Sequence, residues 1–278
     1  ISNKMMENNL NMLIKKFGID TNNTYLAIVG GYALNCPSNS YLLDRFHFKM
    51  LYEIPCVNDT GLSLGYGLGE FYARKTDINF KLKSAFYGNK IEYDERAHMV
   101  DEYIESISKA SAELFAKDIS KEVIIWVEDR CEIGPRALGH RSILADPRNE
   151  KVKNILNEIK GRQWWRPVAP IILEDNVSEW FEKGTISDYM LKTFTAIPKV
   201  EKSIEAVLHL DKSARVQTIN RKQGFLYDCI YAFYILTGIP IICNTSLNDK
   251  GEPMIDTFYG VLLFAIKKDI HIIYINHM

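Results

Sequence analysis

Apolar and polar positions along the first 75 residues alternate in a way that predicts helices separated by short strands. Between residues 3 and 17 apolar side chains recur at helical spacing, and Gly18 follows as a C-cap. The apolar run at 25–29 ends in a glycine pair, which predicts a buried parallel strand leading into a tight turn. The elements predicted next are a helix from about Ser38, a strand at 46–51 and a helix at 62–74. This order predicts an α/β sheet with ligand loops at the carboxyl ends of its strands.

The periodicity is lost between about residues 76 and 98, where polar sequence predicts a connection between domains. We therefore predict a first domain at 1–80 and a second, mixed α+β domain at 81–278. The elements predicted for the second domain are helices at 99–117, 150–160 and 225–236, and strands at 123–127 and near residues 171, 189, 215 and 241.

Composition limits the classes of function. Hydrophobic residues make up 47% of the 278 positions and charged residues 25%, which is typical of a folded globular protein. The 34 basic and 35 acidic residues nearly balance, so no global field attracts nucleic acid or an anionic membrane. No apolar run reaches the roughly 18 residues of a spanning helix, and we expect no membrane partner. Five scattered cysteines without a C-x-x-C pair favour a reduced, cytoplasmic protein.

The densest chemical signal is the segment 132–142, which follows the strand predicted at 123–127. Two glycines and a proline predict a tight loop that presents Arg136 and Arg141. A guanidinium fork beside glycine N–H groups suits a phosphate, because it can bind two oxygens at once. A surface turn with salt-bridged arginines is an equally good interpretation of this segment alone.

Further cations follow at Lys160, Arg166 and Arg215, and Arg166 comes directly after Trp164-Trp165. If these side chains converge, a neutral protein has built a cationic cleft with indole walls for a base or sugar. The alternative is that the tryptophans belong to the core and the lysine is solvated.

Short polar side chains end the strand predicted near residue 241. Asn244 and Ser246 are suited to bind a small polar ligand there, although Asn and Ser also commonly cap turns.

In the first domain, Gly30 and Gly31 allow the backbone to approach a nucleotide closely. Asp59 is by default a helix N-cap, since the carboxylate partners that a metal site requires are not found nearby.

Seven ordered sequence blocks resemble the O-carbamoyltransferase family, which includes nodulation-factor, cephem and aminoglycoside carbamoyltransferases. The resemblance covers nearly the whole chain. The blocks are Gly30 to Cys36, Asn58 to Gly61, Gly134 to Ser142 with Ala145 to Arg148, Lys160-Gly161-Arg162, Arg166-Pro167, His209 to Asp211 with Ala214 to Thr218, and Asn244 to Ser246 with Gly251 to Pro253.

The resemblance implies a partial actin-like α/β subdomain at 1–80, followed by a YrdC-like mixed α+β domain at 81–278. In such proteins the YrdC-like part condenses carbamoyl phosphate with ATP, accompanied by Mg²⁺, to give carbamoyladenylate and pyrophosphate. The actin-like part passes the carbamoyl group to the hydroxyl of a small-molecule acceptor and releases AMP. The residues implied are Arg136, Lys160, Arg166 and Arg215 as catalytic; Arg141, Asn244 and Ser246 as substrate-binding; Gly30, Gly31 and Asn35 as nucleotide-binding; and Asp59 as a metal ligand.

The complete actin-like domain of the family holds a divalent metal such as Fe²⁺ with an H-x-x-x-H pair, and these 278 residues contain no such pair. We therefore expect a fragment, or a chain whose missing half is supplied by a partner polypeptide, that cannot complete carbamoyl transfer alone. The alternative is a nucleotide-binding module that docks to such a partner without turnover. Nucleic-acid modification is a third class, which the neutral charge disfavours. The acceptor and the oligomeric state stay open.

Overall fold

The computed structural model describes residues 2–77 and 79–276, which form two compact units. The first contains residues 1–85, 133–135 and 187–193, and the second contains 86–132, 136–186 and 194–278. The first unit thus extends a little beyond residue 80 and takes in two later segments of the chain. No described helix has the length and apolar character needed to cross a membrane.

The first unit is built around a small apolar core that includes the fully buried Leu42. Met6, Leu10 and Ile14 lie on one face of the first helix and pack against this core, which confirms the amphipathic helix predicted there. The elements of this unit are α1 (Ser2–Phe17), β1 (Tyr25–Leu26), α2 (Cys36–Phe46), β2 (Met50–Leu51) and α3 (Leu62–Ala73).

The two strands of the first unit are parallel, as predicted for the first of them, but each is only two residues long. The burial predicted for the run at 25–29 was wrong at its ends, because Tyr25 and Val29 are exposed. The strand predicted at 46–51 is shorter because α2 continues to Phe46 and ends at His47, whose φ of 54° is left-handed. The helix predicted at 62–74 is confirmed by α3.

The second unit is organised on a six-stranded mixed sheet in the order β10-β3-β4-β9-β5-β8. Its strands are β3 (Ile124–Glu128), β4 (Arg141–Ala145), β5 (Ala169–Leu173), β8 (Gln217–Ile219), β9 (Ile241–Ser246) and β10 (Ile272–Asn276), and a separate pair is formed by β6 (Phe194–Thr195) and β7 (Ser213–Ala214). Its helices are α4 (Ala112–Ile119), α5 (Val152–Ile159), α6 (Val177–Trp180), α7 (Phe225–Thr237) and α8 (Phe258–Lys268). The chain is therefore a mixed α/β protein with a multistranded sheet.

Central strands of this sheet are buried on both faces, which explains their nearly continuous apolar sequences. Trp126 of β3 is fully buried and contacts Phe115 of α4 edge to face, with ring centroids 5.5 Å apart. Helix α7 is confirmed, and it ends at Gly238 in the left-handed conformation typical of a glycine C-cap.

Several predicted elements of this unit were wrong or incomplete. The helix predicted at 99–117 is α-helical only from Ala112, where Ser111 accepts a hydrogen bond from the N–H of Leu114. Serines upstream favour caps over helix interiors, and Ile107 is 88% exposed, so burial does not stabilise a helix there. Among the described residues no strand forms near 189. Strand β4 was not predicted, because Arg141 and Ser142 fall in the segment assigned to the preceding loop. Helix α8 and strand β10 were also not predicted.

Candidate ligand-binding site

The loop before β4 is held by a single carboxylate. Oε1 of Glu132 accepts hydrogen bonds from the backbone N–H groups of Leu138, His140 and Arg141 at 2.7, 2.9 and 3.2 Å. Gly139 has a φ of +103°, and a Cβ there would lie 2.6 Å from Leu226. The conformation of this loop therefore depends on the buried Glu132 and on a glycine at 139.

Arg141 points into the protein and is fully buried. Its guanidinium donates to the carbonyl oxygens of Glu128, Asp129, His140 and Asn89 at 2.7 to 3.2 Å. Burial lowers the pKa of this arginine. The four carbonyl oxygens use the two terminal nitrogens of the guanidinium that the sequence had suggested for a phosphate. In this geometry Arg141 holds the loop to β3.

Polar side chains from neighbouring strands share one face of the sheet beneath this loop. Asn244 of β9 and Gln217 of β8 have the same facing, because β5 pairs Ala169 with Asn244 and Ile171 with Gln217. Nδ2 of Asn244 donates to the carbonyl of Ala137 at 3.0 Å, and Nε2 of Gln217 donates to that of Leu138 at 2.7 Å. The two amides thus fasten the loop to the sheet.

Four buried polar atoms of this loop and the strands next to it make no hydrogen bond to any described residue. They are Oγ of Ser142, Oδ1 of Asn244, Nε of Arg136 and Nε of Arg141. Buried polar groups in folded proteins are nearly always satisfied, so such a cluster marks a place where a polar ligand or water supplies the partners.

Lys160 lies at the C-terminal end of α5 and reaches the end of β9. Its Nζ donates to the carbonyl and hydroxyl oxygens of Ser246 at 2.6 and 3.1 Å, and to the carbonyl and side-chain oxygens of Asn248. Burial, followed by the charges of Arg162 and Lys268, lowers the pKa of this lysine to about 7, while Asp249 acts in the opposite direction. The structure therefore brings together Lys160 and Ser246 of the predicted site.

The segment after Lys160 is shaped by Asn157, which is 1% exposed. Its Nδ2 donates to the carbonyl oxygens of Trp164 and Arg166 at 2.9 and 3.1 Å, and its Oδ1 accepts from Nε of Arg162. The indoles of Trp164 and Trp165 are 73% and 58% exposed, so they do not belong to the core. Arg166 is also exposed, and its guanidinium carbon lies over the ring of Trp165, 6.0 Å from the ring centroid.

The remaining two arginines of the predicted site are half-buried. Arg136 has the buried Nε described above and makes no hydrogen bond or ion pair within the described residues. Arg215 lies between β7 and β8 and is close enough to His209 to affect it electrostatically, because burial and then the positive charge of Arg215 lower the pKa of that histidine. Neither guanidinium is hydrogen-bonded to Lys160.

The residues predicted in the first domain lie in the first unit. The N–H of Gly30, whose φ is +83°, donates to the carbonyl of Val57 at 2.7 Å. Gly31 begins a short 3₁₀ turn, and Asn35 caps α2 by accepting from the N–H of Ser38 at 3.4 Å. These contacts account for the local conformation of the turn, and its contact with a nucleotide stays a prediction.

Asp59 is an exposed residue that begins a 3₁₀ turn. The prediction that it is a helix N-cap was wrong, because Asn58 precedes that turn as its N-cap and Gly61 is the N-cap of α3. Across residues 2–77 and 79–276, no three His, Cys, Asp or Glu side chains form a group able to hold a metal ion. A lone exposed carboxylate does not fit a metal centre, and we assign no step to a metal at Asp59.

Sequence reasoning missed several polar residues of this site, although most of them fall inside the segments it had singled out. The residues concerned are Ser142, Gln217 and Asn248, which lie within or beside the sequence blocks named above. Their apolar and turn-forming neighbours gave no local pattern that marks them as site residues. Asn157 lies inside a predicted helix and gave no signal, because its role depends on a loop folding back against it.

The second unit thus has a mixed sheet with buried polar side chains on one face and Lys160 at the end of one central strand, an arrangement that suits a small polar ligand. The family model described as "Carbamoyltransferase C-terminus" matches residues 116–278. The chain therefore belongs to the carbamoyltransferase family and corresponds to its C-terminal part.

Two relatives illustrate this similarity. The chain is 37% identical over 228 residues to "Nodulation protein U" of Sinorhizobium fredii strain NGR234, covering 82% of this chain and 40% of that protein. It is 32% identical over 249 residues to "3'-hydroxymethylcephem-O-carbamoyltransferase" of Amycolatopsis lactamdurans, covering 88% of this chain and 46% of that protein. The chain thus spans less than half the length of these relatives.

Among solved structures, full-length HypF in its phosphate- and nucleotide-bound form aligns with a TM-score of 0.41 at 14% identity, over 59% of this chain and 20% of that one.

Proposed function

We propose that the second unit forms carbamoyladenylate from carbamoyl phosphate and ATP. In balanced form, carbamoyl phosphate, ATP and water give carbamoyladenylate, pyrophosphate and inorganic phosphate. Water cleaves carbamoyl phosphate into carbamate and inorganic phosphate. A carbamate oxygen then bonds to the α-phosphorus of ATP, and the bond from that phosphorus to the pyrophosphate breaks. The observation that carries this proposal is Lys160 fixed against Ser246 and Asn248, beside the buried polar face that bears Asn244.

Cations are the groups that this reaction needs most, because two polyanionic substrates must be held together while charge develops on pyrophosphate. Lys160 is positioned by its oxygen partners, and Arg136 offers a guanidinium that makes no hydrogen bond within the described residues. We assign phosphate contacts to Lys160, Arg136, Arg166 and Arg215. Arg141 is given a positioning role, since its two terminal nitrogens donate to backbone carbonyls.

Asn244 and Ser246 are suited to bind the small carbamoyl group of the substrate. Both side chains are fixed, Asn244 by the carbonyl of Ala137 and Ser246 by Lys160 and Asn248. Rigid hydrogen-bonding groups can reject an analogue that lacks the matching polar atoms, because the site is then left unsatisfied.

The exposed Trp164 and Trp165 provide flat apolar surfaces beside a guanidinium, which suits a purine base. The adenine of ATP, which enters with Mg²⁺ as part of the substrate, is proposed to stack here.

All five cysteines are buried thiols, which supports the reducing, cytoplasmic setting proposed for the enzyme.

Transfer of the carbamoyl group to an acceptor hydroxyl, with release of AMP, is proposed for the complete protein. By resemblance, that step belongs to the actin-like part, in which Gly30, Gly31 and Asn35 would contact the nucleotide. The acceptor is proposed to be a small molecule, as the printed name of the cephem carbamoyltransferase describes for that relative.

Pyrophosphate release by the purified chain, given both substrates and Mg²⁺, tests the first step. We expect release that depends on carbamoyl phosphate and that falls at least about tenfold in Arg136→Ala and Arg215→Ala, the loss expected when one charge-assisted contact to a substrate is removed. Arg96→Ala is the matched control, because Arg96 is exposed and pairs with Asp94 at 2.6 Å. Release that is unchanged in both site variants contradicts these assignments.

A second candidate is a nucleotide-binding module that docks to a partner without turnover. The observation that favours it is α3, which is rich in apolar residues yet buries none of them; Tyr66 and Tyr72 are 75% and 86% exposed. Calorimetric ATP binding without pyrophosphate release would support this candidate over the enzyme, and a monodisperse monomer would count against docking through a second copy.

A further inference from the structure

We infer that Oγ of Ser142 and Oδ1 of Asn244 together receive the amino group of the carbamoyl moiety and select it against groups of the same shape. This inference rests on the proposed function and adds a specificity-determining residue, Ser142, to it. Three observations carry it: the positions of the two side chains in the sheet, the fixed direction of the Asn244 amide and the burial of both oxygens.

The two side chains lie on the same face of adjacent strands. Ser142 of β4 pairs with Ser246 of β9, and Leu144 pairs with Asn244, so Ser142 and Asn244 are diagonal neighbours of one antiparallel ladder. Such neighbours have backbones about 7–8 Å apart, and their side chains approach more closely. One small group can therefore contact both oxygens.

The direction of the Asn244 amide is fixed by its own hydrogen bonds. Its nitrogen donates to the carbonyl of Ala137 at 3.0 Å and faces Oε1 of Gln217 at 3.5 Å. The amide of Gln217 is oriented in turn, because its nitrogen donates to the carbonyl of Leu138. The oxygen of Asn244 is consequently the atom that remains as an acceptor. A flipped amide would place Oδ1 against the carbonyl oxygen of Ala137, and two acceptors cannot form a hydrogen bond.

Both oxygens are deeply buried, since Ser142 is 0% and Asn244 is 2% exposed. Neither oxygen has a hydrogen-bond partner in the part of the chain that the structure describes. A serine hydroxyl can accept a hydrogen bond and an amide oxygen can only accept, so this pair matches a group with two N–H donors. The planar amino group of a carbamoyl moiety has two such donors, whereas a methyl group or a carboxylate oxygen has none.

The cation of the site lies beside this pair, which fixes the direction of the substrate. Ser246, the ladder partner of Ser142, accepts from Nζ of Lys160 through its hydroxyl at 3.1 Å. A carbamoyl group with its amino end between Ser142 and Asn244 would direct its oxygens toward that ammonium. Ser142 and Asn244 therefore accept hydrogen bonds from the amino end of the carbamoyl group, and Lys160 binds its anionic end.

Acetyl phosphate tests this inference, because its methyl group replaces the amino group at nearly the same size. For the wild-type chain we expect kcat/KM for pyrophosphate release to be far higher with carbamoyl phosphate than with acetyl phosphate. In Ser142→Ala we expect the ratio of the two kcat/KM values to fall about tenfold, as for one lost hydrogen bond in a buried site, with the loss confined to carbamoyl phosphate. Ser142→Thr keeps the hydroxyl and should retain most of the ratio.

Ser120→Ala is the matched control, since Ser120 donates to the carbonyl of Ala116 at the end of α4, away from this ladder. Thermal unfolding of each variant separates loss of recognition from loss of folding. An unchanged ratio in a folded Ser142→Ala overturns the inference, and so does a wild-type chain that uses both acyl phosphates equally well. A wild-type chain that releases no pyrophosphate with carbamoyl phosphate instead refutes the proposed function.

Discussion

Nζ of Lys160 donates to the carbonyl oxygen of Ser246 at 2.6 Å, although 86 residues separate the two along the chain. The contact joins the end of α5 to the end of β9, and Asn248 supplies two further oxygens. These oxygens suit an ammonium, whereas burial and neighbouring positive charges oppose it and lower the pKa of Lys160 to about 7. The charge of this lysine is therefore sensitive to any anion that approaches it.

The first prediction concerns the free energy of unfolding of Lys160→Met. The pKa of Lys160 is about 7 in the folded protein against an ordinary 10.5, so between these values the unfolded chain binds more protons than the folded one. The free energy of unfolding of the wild type should therefore gain an increasing contribution from Lys160 as the pH rises across this window. Urea titrations at both ends of the window should show a smaller rise in Lys160→Met. Equal slopes in both proteins would contradict the lowered pKa.

The second prediction concerns the protons taken up when ATP binds. Above a pH of about 7 the amine of Lys160 is largely neutral, and a bound polyphosphate should restore its charge. Calorimetry in buffers of different ionisation enthalpy should detect uptake of up to one proton per ATP bound by the wild type. Lys160→Met should bind ATP more weakly and without this uptake. Uptake of the same size in the variant would place the titrating group elsewhere.

The third prediction is that Glu132→Gln loosens the loop before β4. The carboxylate accepts three backbone N–H groups, and a neutral amide oxygen accepts them more weakly. We expect the free energy of unfolding to fall by about 2 kcal/mol, measured by urea denaturation. Glu92→Gln, at an exposed position, should change stability little. A loss no greater than in this control would mean that the loop is held by other contacts.

The fourth prediction is that Arg141→Met destabilises the fold. Removing the guanidinium leaves the carbonyl oxygens of Glu128 and Asp129 without these donors, and we expect a loss of about 3 kcal/mol. Arg141→Lys should not restore stability, because one ammonium cannot reproduce the planar fork. Denaturant titration of both variants, with the exposed Arg221→Met as control, measures this. Full stability with lost ATP binding would instead support the phosphate contact that the sequence suggested.

How far the sequence predicted the fold depended on whether a signal was local. Helix α1 followed from periodicity and from Gly18 after it, helix α7 was predicted at 225–236, and both are confirmed. Strand β4 was missed because it begins with Arg141 and Ser142, which become buried only through tertiary contacts that the sequence does not display. The helix predicted at 99–117 was too long, because residues up to Tyr103 form a 3₁₀ helix instead and Ile107 beyond it is exposed.

The candidate site divides in the same way. Asn244 and Ser246 were selected because both end one strand, and alternation along that strand does place them on one face. The contact of Lys160 with that strand end has no local signal. The presence of an arginine in the sequence does not show whether its guanidinium binds a phosphate or backbone carbonyls. For Arg141 the burial of the side chain distinguishes the two. The roles of Arg136, Arg166 and Arg215 stay predictions.

Strand β9 pairs along both of its edges, with β4 on one side and β5 on the other. Adding or deleting one residue inside it would turn Asn244 and Ser246 to the opposite face, while a change of length in the turns outside it would leave their direction intact. Natural variants of this chain should therefore differ in length at the turns that flank β9 and keep an invariant residue count within the strand.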